Sequence, residues 1–205
     1  MKSSEIFNKL KKYILKNKFH SSSIGKILIK ENISEKDYYL YFNKDIGSLI
    51  NYFFDDINEK IVFDIENNIP KEKSVSKRVL YCIKKKFYYL EENRDVTKAF
   101  LNYLIIHPFK FKKISIKFSN FVWMKIADES TDFNYYTKRL ILSKIFFNSV
   151  MFWRNSDNIL ETNSFIEKQI NLLGKFGKLK GSMMKSIKPR LSFEFLTKFD
   201  FLHKQ

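Results

Sequence analysis

Asp128-Glu-Ser-Thr-Asp-Phe-Asn-Tyr-Tyr-Thr-Lys-Arg139 is a short acidic and hydroxylic turn that runs directly into an aromatic-rich helix. Ser130, Thr131 or Asp132 supplies a side-chain oxygen for the first free backbone N–H groups of that helix. Asp132 also sits where the helix dipole favours negative charge. Beyond the turn, Leu140, Ile141, Leu142, Ile145, Phe146, Phe147, Val150, Met151, Phe152 and Trp153 cover almost the whole circumference. A helix that is apolar all round is buried in protein or faces something oily. The stretch therefore predicts a helix over 132–153 set within a helical fold.

Working outward, apolar residues at helical spacing predict further helices over 75–91, 94–106, 109–127 and 158–175. Pro108 starts the third of these four, where its missing N–H costs nothing. Gly174 and Gly177 are expected to stop the last one. Towards the N-terminus, Ile6, Leu10, Tyr13 and Ile14 mark a helix over 3–17. Ser21 to Ser23 is a capping cluster for a short helix that begins with Ile24, Ile27 and Leu28. Ser34 caps another over Glu35 to Tyr41, Phe42-Asn43 breaks it, and Ile46 to Ile65 forms a longer one. Asn67-Asn68-Ile69-Pro70 is the clearest hinge. Short helices joined by tight turns resemble the helix-turn-helix head of TetR-type regulators. The expected fold is all-α: a TetR-like helical bundle with a degenerate helix-turn-helix head (1–66), a ligand-type helical body (67–180) and a basic, amphipathic C-terminal tail (181–205). TetR-like bodies pair through their last helices, so a homodimer through 158–175 is expected.

Composition agrees. The chain has 205 residues, enough for a substantial core, and 22 are Phe. Only 5 Gly and 3 Pro leave few loops. The formal net charge of +16 suggests an anionic partner, nucleic acid or a membrane surface. Two clusters stand out: residues 168–190 hold six Lys and one Arg with no acid, and 110–125 hold five Lys with no acid. The single Cys82 excludes an internal disulfide and a thiol-rich zinc site, and it reads as a core or half-core residue. No uncharged apolar run approaches the ~20 residues that span a bilayer. The first 30 residues are basic, but they lack Arg and keep a helical pattern, so they read as part of the fold rather than a transit peptide.

The turn-and-helix stretch also carries a resemblance. Asp-x-Ser-Thr-Asp-Phe-Asn-aromatic-Tyr-Thr-Lys-Arg at 128–139, the apolar helix after it, and Phe-x-x-x-x-Ile from Phe165 to Ile170 resemble the ubiquinone-biosynthesis accessory protein family, the lipid-binding "Coq-nine" family. The likeness is densest from Leu101 to Leu173. It extends more weakly through Arg78 to Leu90 and the Tyr41-Phe42 turn. Bulky side chains on 109–127 and 132–153 exceed what one packed helix needs. Phe118, Phe121, Trp123, Phe146, Val150 and Trp153 are candidates to line a lipid tunnel, with a filled core as the alternative. The resemblance favours the tunnel, because the family holds isoprenoid lipids there. It also implies a partner, the demethoxyubiquinone hydroxylase, at the start of the apolar helix. Carried over by position, that patch is Asp132, Tyr135, Tyr136 and Arg139; many relatives have Trp where this chain has Tyr135. The family docks on membranes through a C-terminal amphipathic helix. The corresponding candidates are Lys178, Lys180, Lys185, Lys188, Phe193, Phe195, Leu196 and Phe199, where apolar bulk lies beside cations as an interfacial anchor requires. Pro189 departs from a clean long helix.

Enzymatic chemistry finds no foothold in the sequence. His20, His107 and His203 lie in different elements, and no Glu-x-x-His pair, Gly-rich phosphate loop or nucleophile elbow is present. No catalytic residue, metal ligand or cofactor is assigned, and His107 before Pro108 reads as a helix-end residue. DNA binding is the alternative. The candidate recognition helix at 34–42 reads Ser-Glu-Lys-Asp-Tyr-Tyr-Leu-Tyr-Phe, poor in the Arg, Lys, Asn and Gln that read base edges. Lys9, Lys11, Lys12, Lys16 and Lys18 suit only non-specific backbone contact. The expectation is a non-enzymatic, lipid-binding accessory factor of ubiquinone biosynthesis that presents isoprenoid quinone precursors to the hydroxylase at a membrane. The resemblance implies a peripheral location, on the cytoplasmic side of the inner membrane in a bacterium or its matrix side in a eukaryote. A TetR-type transcriptional regulator and a plain interaction scaffold with a filled core are the rival readings.

Overall fold

Stripes of apolar residues at three- and four-residue spacing become helices throughout. The computed structural model describes residues 1–16, 23–43, 45–68, 74–127 and 132–183, with side chains at 67–68, 132–134 and 173–183 left undescribed. Among the described residues the elements are α1 (Ser3–Leu15), α2 (Ile24–Lys30), α3 (Glu35–Tyr41), α4 (Ile46–Asn68), α5 (Val75–Glu92), α6 (Arg94–Ile106), α7 (Pro108–Lys125), α8 (Asp132–Asn155) and α9 (Ile159–Met183), with no strand. The described residues are all-α, consistent with the TetR-like expectation. Residues 1–167 form one compact unit and 168–205 a second. Most of the hinge at 69–73, the turn at 128–131 and the tail at 184–205 lie outside the described residues.

The head turns tightly for a local reason. Asn32 adopts φ 52°, a left-handed conformation that Asn tolerates better than most residues. It ends α2 in a Schellman motif: Asn32 N–H donates to the Ile29 carbonyl (3.2 Å) and Ile33 N–H to the Leu28 carbonyl (2.9 Å). Ile33 and Leu28, the apolar pair that accompanies this motif, are both buried. Phe42 then leaves the helical region at φ −130°, ψ 146° and ends α3. Its ring is buried against Tyr38 and Tyr52, so the break in α3 is also a core anchor.

Within residues 1–167, α7 and α8 pair most extensively, and they run antiparallel. Phe118 meets Phe146 at 4.6 Å between ring centroids, and Phe111 meets Phe147 at 4.7 Å. Phe118, Phe146, Val150 and Trp153 are all fully buried. Burying each Phe is worth about 1.5–3 kcal/mol. α4 and α5 close the other side, and the Phe87 ring of α5 meets Phe146 at a tilt, 6.0 Å between centroids.

Two expectations are revised. α8 is buried on only part of its circumference: Tyr136, Leu140 and Phe147 are exposed. Its apolar surface is wider than the groove that α7 and its neighbours offer. Gly174 and Gly177 do not stop α9, which runs on to Met183. A glycine ends a helix by taking positive φ, and no glycine among the described residues does so. In a helix interior Gly costs only ~1 kcal/mol relative to Ala, which neighbouring residues offset.

Candidate functional site at the start of helix α8

The C-terminal end of α7 and the first turns of α8 are tied by side chains that reach backbone. Ser119 Oγ donates to the Arg139 carbonyl (2.7 Å), and Trp123 Nε1 donates to the Lys138 carbonyl (3.2 Å). Lys138 Nζ lies 5.1 Å from the centre of the Trp123 ring. From α5, Arg78 donates to the Ile126 carbonyl (3.0 Å), a free helix-end carbonyl of α7 where a cation is favoured. Ala127 follows with φ 55°.

On the outer side of this junction, Tyr135 and Tyr136 meet edge to face at 5.2 Å. Tyr136 is 67% exposed and Tyr135 37%. Arg139 is buried; its guanidinium lies 3.3 Å from the centre of the Tyr135 ring and donates to the Tyr135 carbonyl at 3.0 Å. Arg139 therefore positions Tyr135 and presents no charge to solvent. Of the sequence patch, Tyr135, Tyr136 and Arg139 lie together as two outward rings on an arginine support. The Asp132 side chain lies outside the description, and its backbone is the first residue of α8.

The six lipid-lining candidates fall in two groups. Phe118, Phe146, Val150 and Trp153 share the buried seam, with half-buried Phe121 beside Phe118 at 6.2 Å. Trp123 belongs instead to the α7–α8 junction. Trp153 is anchored by polar contacts: Nε1 donates to Glu91 (2.6 Å), and Arg94 packs 4.9 Å from its ring centre while pairing with Glu91 at 2.7 Å. Of the membrane candidates, Lys178 and Lys180 lie on α9 with undescribed side chains. Lys185, Lys188, Phe193, Phe195, Leu196 and Phe199 lie outside the described residues.

Reading the sequence missed Lys86. It is fully buried on the core stripe of α5, between Cys82–Ile83 and Phe87–Leu90. Its Nζ donates to the Phe54 carbonyl (2.7 Å) and Asn58 Oδ1 (2.8 Å), and it lies 5.1 and 5.3 Å from the Phe54 and Phe118 ring centres. A cavity of about 10 Å³, room for about one water, adjoins it. Asp55 and Lys117, ion-paired at 2.5 Å, also line that cavity. Burial lowers the Lys86 pKa well below that of a free lysine; Asp55 and Asp56 oppose the shift and Lys117 adds to it. The helical spacing was the available signal, since it places a lysine where every neighbour is apolar. Burial likewise pushes the Cys82 thiol up to about 12, so it is not a ready nucleophile.

These helices define an all-α protein whose later helices carry both the aromatic seam and an outward aromatic pair. The COQ9 family model matches residues 111–177, roughly a third of the chain, spanning nearly all of α7, the whole of α8 and much of α9. Over this segment the resemblance to the ubiquinone-biosynthesis accessory family holds. The chain is also 30% identical over 89 residues to the uncharacterized HTH-type transcriptional regulator YdgC of Bacillus subtilis (strain 168), covering 41% of this chain. The chain spans about half the length of that curated relative (46%).

Proposed function

We propose that this chain is a non-enzymatic accessory factor of ubiquinone biosynthesis that binds isoprenoid quinone precursors and presents them to the demethoxyubiquinone hydroxylase. The observation that carries the reading is the coincidence of the family match with α7 and α8. In this scheme the basic surface and the tail meet an anionic membrane. The seam between α7 and α8 takes up the polyprenyl chain, driven by about 25 cal/mol per Å² of apolar surface removed from water. Phe118 and Phe146 touch across that seam, so uptake requires these rings to part. The Tyr135–Tyr136 pair meets the hydroxylase, and aromatic residues are frequent interface hot spots. The domain roles follow: a head at 1–66, a ligand body at 67–180, a docking tail at 181–205, and a homodimer.

The test is hydroxylase turnover on substrate held in vesicles, with and without this protein. Acceleration that Tyr136→Ala abolishes supports presentation. Turnover indifferent to the added protein would contradict it.

The likeness to a helix-turn-helix regulator favours one rival, DNA binding. The exposed residues of α3 include Glu35, Lys36, Leu40 and Tyr41, a set poor in base-reading groups. Specific retention of a DNA fragment from a genomic library, lost on charge reversal in α3, would favour the regulator.

A further inference from the structure

The corner between α6 and α7 exposes three bulky apolar residues within five positions. Ile106 is 76% exposed, Phe109 82% and Ile105 39%. Such tips usually turn inward, and here the corner holds them out. The His107 ring stacks on Tyr103 at 4.0 Å, and its Nδ1 lies 2.9 Å from the Tyr103 carbonyl. Lys110 donates to the Tyr103 hydroxyl (2.7 Å) and pairs with Asp45 (2.6 Å), while Phe111 is buried one position on. The exposed side chains therefore stand on a fixed support.

Charge identifies what the corner meets. Lys112 and Lys113 follow Phe109 by three and four positions, on the same face of α7, and both are exposed. Neither makes an ion pair among the described residues. Residues 96–127 contain six Lys and no Asp or Glu. The nearby acid, Asp45, is occupied by the Gly47 amide, Tyr103 and Lys110. Apolar tips ringed by unpaired lysines complement the boundary between anionic headgroups and acyl chains. A second copy about a two-fold axis would set the same lysines against each other. An aromatic ring can stack on a base, but the aliphatic Ile105 and Ile106 beside Phe109 have no such use and suit acyl chains.

We propose that the α6–α7 corner is a membrane wedge, with Ile106 and Phe109 entering an anionic lipid surface and Lys112 and Lys113 engaging its headgroups. This rests on the membrane step of the proposed function, but it places contact on the folded body rather than in the tail.

The probe is full-length Phe109→Trp with vesicles of equal parts phosphatidylcholine and phosphatidylglycerol. The existing Trp153 is buried and Trp123 nearly so, so the new indole reports the corner. The expected result is a blue shift and quenching by bromine-labelled acyl chains, weakened by salt or by pure phosphatidylcholine. Ile106→Ser or Phe109→Ser should lower vesicle partitioning about tenfold or more. If the unsubstituted chain co-sediments with these vesicles while the new indole stays unshifted, the wedge is overturned and the tail reading stands. If the unsubstituted chain does not co-sediment at all, both fall. If the serine variants change oligomeric state and leave vesicle binding intact, the corner is a contact between copies and the wedge is overturned.

Discussion

Lys86 is the residue most at odds with its surroundings, and its titration has a clear sign. Its pKa in the folded chain lies well below 10.5, so between that pKa and 10.5 the unfolded chain binds the extra proton. Stability therefore rises with pH through this window and is lost as pH falls through it. Urea melts from neutral to alkaline pH should show that rise, and Lys86→Met should flatten it. A second residue, Ala127, holds a left-handed φ that disfavours any Cβ. Ala127→Gly should stabilise by about 0.5–1 kcal/mol in urea melts, because relief of strain exceeds the added freedom of the unfolded chain. The α8 start separates support from contact. Arg139→Ala should destabilise the fold, since its guanidinium is buried on Tyr135. Tyr136→Ala should leave stability within about 0.5 kcal/mol and act only on association.

At the scale of elements, α7 and α8 carry the core. Phe146→Ala should cost about 3–5 kcal/mol by opening a cavity among Phe87, Phe118 and Val150, read as a lowered midpoint in chemical denaturation. Much of this was legible in the sequence. Helical spacing gave α3, α6 and α7 nearly to the residue, and Pro108 marked the start of α7. The end of α9 was misread because Gly174 and Gly177 weaken a helix without forcing it to stop. The role of Arg139 was also hidden. Spacing places it beside Tyr135, but only packing decides that the guanidinium lies against the ring instead of facing a partner. The Phe118–Phe146 contact depends on which turns of two helices meet, and no local pattern states that. Lys86 was legible in principle, as a charge on an apolar stripe, yet a lysine is ordinarily read as surface.

For the whole molecule, the net charge of +16 predisposes the surface to anionic partners, and the acid-free lysines of α7 concentrate part of that field. Charge alone does not separate DNA from membrane. The exposed Ile106 and Phe109 favour lipid in the proposed reading, and the COQ9 family model matches within α7, α8 and α9. No helix among the described residues is long and apolar enough to cross a bilayer. The most direct test of the central claim is native mass spectrometry of the purified protein, followed by extraction and identification of co-purifying lipid. An isoprenoid or quinone-type lipid at a fixed ratio to protein is the expected result. A lipid-free protein that takes up nothing from isoprenoid-containing vesicles would contradict it.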